Sequence, residues 1–410
     1  MTQSSALTDD MRPVEPDAIE TALDTAWREE NASVLASGGH AGSRSSVLTL
    51  VAYTTDEAGA TRTRRAIQAL TTQHPSRSII VSPTAQNPSG KPLEAYIGTR
   101  AITANGVTSY GEEIVLCATP SASQHLAGSI LPLIVSGLPS FLWWQGTPPW
   151  HTDIFEATLD GFDRALVDTA DMTQVEQNLL ALYDLVRRKK SSVAISDFNF
   201  ARLAPWRELV AQFFDPVEQR AYLNGVERVT IEYAAGEEDH PVNTAQAYLF
   251  AGWLASRLGW RPFGATGDQL VDGQREHTLL DSLGRKITLE INARYGVRLG
   301  SWFEALDAGG HDNGPARVGP GALMSIYIRA QQGGTVASFS AARESDLRHA
   351  STHVQSPQGA TPSQTVHLPS LGESASLGDE LMQFTHDALF EASLAAIMPA
   401  LETGLRRAPR

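Results

Sequence analysis

The sequence predicts an α/β protein: an N-terminal domain with a mostly parallel sheet flanked by helices, followed by an α+β C-terminal domain. Three observations lead there. From about residue 45 to 190, short apolar runs alternate with amphipathic stretches, the pattern of strands buried on both faces by crossover helices. Beyond Gly225 the runs alternate polar and apolar positions and pair into hairpins. The 410 residues also suffice for two or more hydrophobic cores at about 150 residues per domain.

Taken in order, residues 1–16 read as a disordered arm, without the apolar core of a secretory signal. A helix is expected over 17–35, because Ile19, Leu23 and Trp27 recur at i, i+4. VLTLVAYT, RSIIVS, EEIVLCAT, SFLWW and RALVDT are the expected strands. TRTRRAIQALTTQH, SQHLAGSILPLIVSG and TQVEQNLLALYDLVRRKK are the helices between them, the last ending in a basic cluster that its dipole favours. A further helical stretch runs from Phe200 to Phe214, where Asp215-Pro216 breaks it. The domains are divided as 17–225 and 226–410.

In the second domain VERVTIEYA reads as a strand, and NTAQAYLFAGWLASRLG as a helix with Asn243 as N-cap and Gly259 beyond its end. HTLLDSLGRKITLEINARYG and ALMSIYIRAQQGGTVASFSAA read as hairpins, the second turning at Gly333-Gly334. Residues 343–376 read as an extended loop or a weakly packed strand pair. One helix is expected from Leu377 to Leu405, with Leu381, Phe384, Ala388, Ala392 and Ala395 on one face and Pro399 kinking or ending it.

Composition narrows the function. Lys and Arg number 32 against 46 Asp and Glu, a net charge of −14, the wrong sign for holding a phosphate backbone. No nucleic-acid partner is expected. The uncharged stretch between Glu113 and Asp153 is cut by Pro120, Pro132, Gly137 and Pro139, so no membrane span is expected either. The single cysteine, Cys117, excludes an internal disulfide and suits a reducing, cytoplasmic setting.

Searches for catalytic patterns fail on chemical grounds. No G-x-G-x-x-G occurs, and ASGGHAGSRSS precedes its strand instead of following one, so no cofactor is expected. Gly90-Lys91 runs into Pro92 where a phosphate loop needs Ser or Thr, and Ala85 stands where its first glycine should be. G-x-S-x-G is absent, and Cys117 lies in an apolar run where a thiol behaves as a small core residue. His349 and His353 have the i, i+4 spacing of helical zinc ligands, but Ala350 replaces the required Glu and STHVQSPQG does not read as helix. With His367 they read as exposed loop histidines, so no metal and no catalytic residue is assigned. Lysines are few, only Lys91, Lys189, Lys190 and Lys286, so the basic residues are nearly all arginine.

What stands out is a set of aromatic and arginine clusters at element ends. LPSFLWWQGTPPW places Trp143, Trp144 and Trp150 around a Gly-Pro-Pro turn. Adjacent tryptophans on a strand point to opposite faces, so one can be core while the other meets a helix layer or a partner. DFNFARLAPWRELVAQFFD adds Asp197, Arg202, Trp206 and Arg207, residue types that dominate binding hot spots. HPSR brings Arg77, and FDRALVDTAD brings Arg164 and Asp168.

HPSR, LPSFLWWQGTP, FDRALVDTAD and DFNFARLAPWRELVAQFFD, in this order along the chain and at this spacing, resemble the OpcA family of glucose-6-phosphate dehydrogenase assembly proteins, most clearly from Ser45 to Asp215. The resemblance implies a non-catalytic partner that supports assembly and full activity of that dehydrogenase in the oxidative pentose phosphate pathway. It makes Arg77, Trp143, Trp144, Arg164, Asp168, Asp197, Arg202, Trp206 and Arg207 candidates for the partner surface or its support. Redox control through an internal disulfide, associated with the cyanobacterial branch, has no second cysteine to use here. The alternative is a sugar-phosphate-binding enzyme or sensor using Arg77, Arg164 and Arg207 at the C-terminal edge of the first sheet. A tether without kinetic effect is a third reading.

Overall fold

A computed structural model describes residues 7–36, 43–44, 46–104, 107–123, 126–189, 192–236, 242–263, 268–270, 273–300, 302, 316–357, 359–368 and 373–405. It has the expected α/β character, with two large sheets and helices between and around their strands. The chain divides into two compact units that are not consecutive stretches. The first takes Met1–Asp168, Lys189–Ser196 and Leu377–His386, and the second the remainder.

The sheet of the first unit contains β1 (Arg12–Val14), β2 (Ser43–Arg44), β3 (Leu48–Tyr53), β4 (Ser76–Pro83), β5 (Leu93–Ala104), β6 (Val107–Ala118), β7 (Ser140–Trp144), β8 (Arg164–Val167) and β9 (Ala194–Asp197). Its order is β1-β5-β6-β4-β3-β7-β8-β9, with β2 beside β6. The run β6-β4-β3-β7-β8 is parallel throughout, while β5 and β1 join antiparallel. The parallel strands are nearly continuous in burial, as a sheet covered on both faces requires. The helix Glu57–Leu70 follows β3, starting at Asp56, whose side chain accepts from the Gly59 N–H, and it buries Ala60, Thr63, Ile67 and Leu70 at helical spacing.

Two expectations about this unit need correction. Residues 7–14 are ordered and not a free arm: Leu7 and Met11 are buried and β1 pairs with β5. Burial of two apolar side chains and an edge pairing supply what the polar sequence hid. The apolar stretch after Ala118 forms only short helical segments, Pro120–Ser123, Leu126–Ile130 and the 3-10 turn Leu131–Leu133 that carries Pro132. Among the described residues no helix is long and apolar enough to cross a membrane.

In the second unit β10 (Val226–Ala234), β11 (Arg261–Pro262), β12 (Asp268–Leu270), β13 (Gln274–Leu280), β14 (Lys286–Arg294), β15 (Leu323–Gln332), β16 (Thr335–Arg343), β17 (His349–Ser356) and β18 (Gly359–His367) form the sheet. The order is β11-β13-β14-β10-β15-β16-β17-β18, antiparallel except for β10 against β14. Gly333 and Gly334, at φ of 57° and 80°, make the tight turn between β15 and β16. Burial alternates along β14 and β15, so one face is packed and the other meets solvent. The helix Ala245–Leu258 is buried over its first eleven residues and packs on the helix Ala388–Leu405. It ends, as expected, at Gly259 in the left-handed conformation.

The C-terminal helix was expected to be continuous, and it is not. Glu373–Leu381 ends before the turn, and Ala388–Leu405 starts afresh, with the Asp387 carboxylate accepting from the Phe390 N–H at 2.9 Å. Pro399 lies within the second helix without ending it.

Candidate functional site

In parallel α/β sheets the strand order and helix placement leave ligands and partners at the C-terminal edge. Here that edge is aromatic. Tyr53 ends β3 and Trp144 ends β7, and they are register partners. Their rings stack at 4.3 Å with planes 13° apart. Phe155 meets the Trp144 ring edge-on at 4.9 Å and the Trp150 ring at 5.9 Å, so the four rings form one ledge. Burial pushes the Tyr53 hydroxyl pKa well up, opposed by a hydrogen bond with Thr158, so it stays neutral. In the segment that follows Trp144, Pro149, His151 and Ile154 are exposed, with His151 held at φ 61°. Gly146, at φ 69°, turns the chain where a Cβ would stand 2.8 Å from Thr55.

This edge is poorly built for phosphate. The N-terminus of the helix Glu57–Leu70, where a dinucleotide's phosphates would lie, already receives the Asp56 carboxylate, which accepts from the Gly59 N–H at 2.6 Å. An incoming anion would meet that negative charge. Gln145 closes the other side, donating to the Thr63 hydroxyl at 2.6 Å. Cys117 offers no nucleophile, because burial and Glu94 push its thiol pKa up to about 11. Among the described residues no three of His, Cys, Asp and Glu converge on one metal position.

The candidates from the sequence separate into two kinds. Trp143 points to the opposite face from Trp144 and is core. Trp206 is also core, with the Arg343 guanidinium 5.6 Å from its ring centroid. Arg77 is buried, donating to Glu112 at 2.6 Å and to the Leu133 carbonyl at 2.9 Å, and pairing with Glu20. Arg164 is buried against Glu380, Ser196, Gln383 and the Thr385 carbonyl. Asp168 is buried after β8. Asp197 accepts from the Thr169 N–H and hydroxyl and from the Asn199 N–H, fixing the turn that opens DFNFAR. These six support the fold. Trp144, Arg202 and Arg207 keep partial exposure. Arg202 lies 4.9 Å over the Trp302 ring, and Arg207 lies 4.1 Å over the Phe200 ring while donating to the Phe200 carbonyl.

The arginine-lined sugar-phosphate site at the C-terminal edge is therefore not formed. Arg77 is the second residue of β4 and Arg164 the first of β8, which puts both at the N-terminal edge, and carboxylates already neutralise them. Arg207 belongs to the second unit.

Sequence reasoning missed Tyr53, Arg64 and the pair Glu112-Glu113. Consecutive residues on β6 face opposite sides, so Glu112 meets Arg77 while Glu113 meets Arg64 at 2.8 Å. Two adjacent glutamates opening an apolar strand were the available signal, since buried carboxylates need such partners.

Comparison with known proteins gives this geometry a family. Residues 67–184 match the model of the glucose-6-phosphate dehydrogenase subunit N-terminal domain, and 193–394 that of the C-terminal domain, both of OpcA. Together they cover more than three quarters of the sequence. The chain belongs to the OpcA family. It is 40% identical over 151 residues to the OxPP cycle protein OpcA of Nostoc punctiforme, covering 37% of this chain and 30% of that protein. With the protein of that name from Synechocystis sp. it is 36% identical over 191 residues, 46% of this chain and 38% of the other. The matched stretch thus spans well under half the length of these OpcA relatives. Among solved structures, the chain is similar to myo-inositol 2-dehydrogenase from Lactobacillus plantarum, with 10% identity, a TM-score of 0.42 and coverage of 88% of this chain and 97% of the other. For the 3-ketoreductase KijD10 of Actinomadura kijaniata the figures are 11%, 0.43, 87% and 96%. Likeness this distant carries no argument about the activity of an OpcA-family chain.

Proposed function

We propose that this chain is a non-catalytic partner of glucose-6-phosphate dehydrogenase, binding it in the cytoplasm and promoting its active oligomer or raising its apparent substrate affinity. The observation that carries this reading is the match to both OpcA domain models, each described as a domain of a glucose-6-phosphate dehydrogenase subunit. The sheet edge supports it, since Asp56 occupies the helix N-terminus that a cofactor phosphate would need.

In this reading the ledge of Trp144 and Trp150, with exposed Ile154, meets the dehydrogenase, and the buried Arg77, Arg164, Asp168, Asp197, Trp143 and Trp206 hold the scaffold. Arg202 and Arg207 are secondary candidates for contact. The effect is linkage: the partner shifts the dehydrogenase only by its differential affinity for the active form. A preference of about 1–3 kcal/mol changes apparent substrate affinity roughly 5- to 150-fold.

The test is the initial rate of the same organism's dehydrogenase at limiting glucose 6-phosphate, across a titration of this chain. Saturable activation is expected. A flat titration with a dehydrogenase competent on its own would overturn the proposal. Calorimetry of the isolated chain with glucose 6-phosphate, 6-phosphogluconate and NADP should show no binding.

A further inference from the structure

We propose that His349 and His367 form a two-histidine site for a divalent transition-metal ion of the zinc class on the second sheet. The i, i+4 pair suggested by the sequence is not the relevant one, because His349 and His353 lie on a strand and not a helix. Four residues along a strand span about 13 Å, too far for one ion. His349 of β17 instead faces His367 of β18 as its direct register partner.

The geometry suits chelation. The Leu368 N–H donates to the Arg348 carbonyl at 2.8 Å, which makes His349 and His367 a non-hydrogen-bonded pair, where facing side chains come closest. Their ring centroids are 5.2 Å apart. Metal–nitrogen bonds of about 2.0–2.1 Å put each imidazole centroid about 3.2 Å from the ion, and a tetrahedral angle then separates the two centroids by about 5.2 Å. The spacing already present between the two rings matches that separation.

A positioning carboxylate is already present. Asp346 lies 2.6 Å from His349 Nδ1, and an ionised carboxylate there fixes the proton on Nδ1 and leaves the Nε2 lone pair for a ligand. Asp346 is itself held, accepting from the Arg348 and His349 N–H groups at 2.9 and 3.0 Å, with Leu347 at φ 60° closing the turn. Both histidines reach solvent, so the ion can enter and water can complete its shell. Imidazole ligands select zinc, copper or nickel over magnesium. A bound ion would cross-link β17 to β18 at the end of the sheet.

The experiment is a calorimetric titration of the full chain, free of any affinity tag, with zinc chloride. One ion per chain is expected, bound roughly 10-fold or more weakly by His349→Ala, His367→Ala and Asp346→Asn, and equally well by His353→Ala. No zinc binding by the wild type, unchanged affinity in His349→Ala and His367→Ala, or an equal loss in His353→Ala would overturn the site. Copper(II) paramagnetic resonance on the wild type tests it without any variant: coupling to two imidazole nitrogens is expected, and coupling to one or none refutes it.

Discussion

Arg164 and Glu380 stand 216 positions apart and meet at 2.8 Å, with 2% and 4% of their side chains open to water. This pair ties Leu377–His386 to the first strand-edge residue of β8, and Ser196, Gln383 and the Thr385 carbonyl complete the arginine's partners. Buried ion pairs add little net stability over apolar substitutes, but removing one member strands the other's charge. Glu380→Leu should therefore destabilise the chain by about 3–5 kcal/mol, and adding Arg164→Met should recover most of that. Urea unfolding of the single and double variants decides it; a double variant no better than the single would show that the pair is not the source.

The two adjacent tryptophans should separate stability from docking. Trp143 is core, so Trp143→Ala should cost about 3–5 kcal/mol. Trp144→Ala removes the stack on Tyr53 and the edge contact to Phe155, about 0.5–1.5 kcal/mol for each ring pair, and leaves a folded chain. Its effect should appear as a higher midpoint for dehydrogenase activation. An unchanged midpoint would remove the ledge from the proposed interface.

Much of the architecture was legible because burial on both faces leaves a strand few choices: β3, β4, β7 and β8 read directly from their apolar runs. β5 was missed because Glu94, Thr99 and Arg100 interrupt its pattern, and β1 because three residues at an edge carry almost no pattern. The break between the last two helices was hidden by Phe384, apolar and at helical spacing from Leu381 and Ala388 yet 63% exposed. Periodicity reports where a side chain would point, not whether anything covers it. For the site, the opposite-face rule placed Trp143 and Trp144 correctly on different sides. Arg77 and Arg164 were misplaced although the signal was present: each leads its strand, and the leading end of a parallel strand lies away from the ligand-binding edge.

Gly252 marks a close approach of two helices in the second unit. A Cβ there would stand 2.1 Å from the Ser393 carbonyl oxygen, which is backbone and cannot rotate away. Gly252→Ala would gain about 1 kcal/mol of helix propensity on an exposed helix, but here the helix Ala388–Leu405 must shift. A net loss of about 1–3 kcal/mol is expected in urea unfolding. A stabilised variant would mean that the two helices separate easily.

His277 should make stability fall in mild acid. It is 5% exposed on β13, its Nε2 3.5 Å from the Tyr248 hydroxyl and its ring 5.7 Å from the tyrosine ring. Burial, aided by the nearby Arg275 charge, lowers its pKa to about 4 from the ordinary 6.5. Well above pH 6.5 the imidazole is neutral in both folded and unfolded chains, so it imposes no penalty. As pH falls from 6.5 toward 4, the unfolded chain takes up a proton that the folded chain refuses, and stability drops by up to about 3 kcal/mol. His277→Phe keeps a ring beside Tyr248 and removes that proton site, so its unfolding free energy should fall less steeply across this window. Carboxylates titrate at the lower end as well, which makes the difference between the two slopes the quantity to measure. Identical slopes for wild type and variant would show that His277 takes up its proton as readily in the folded chain as in the unfolded one.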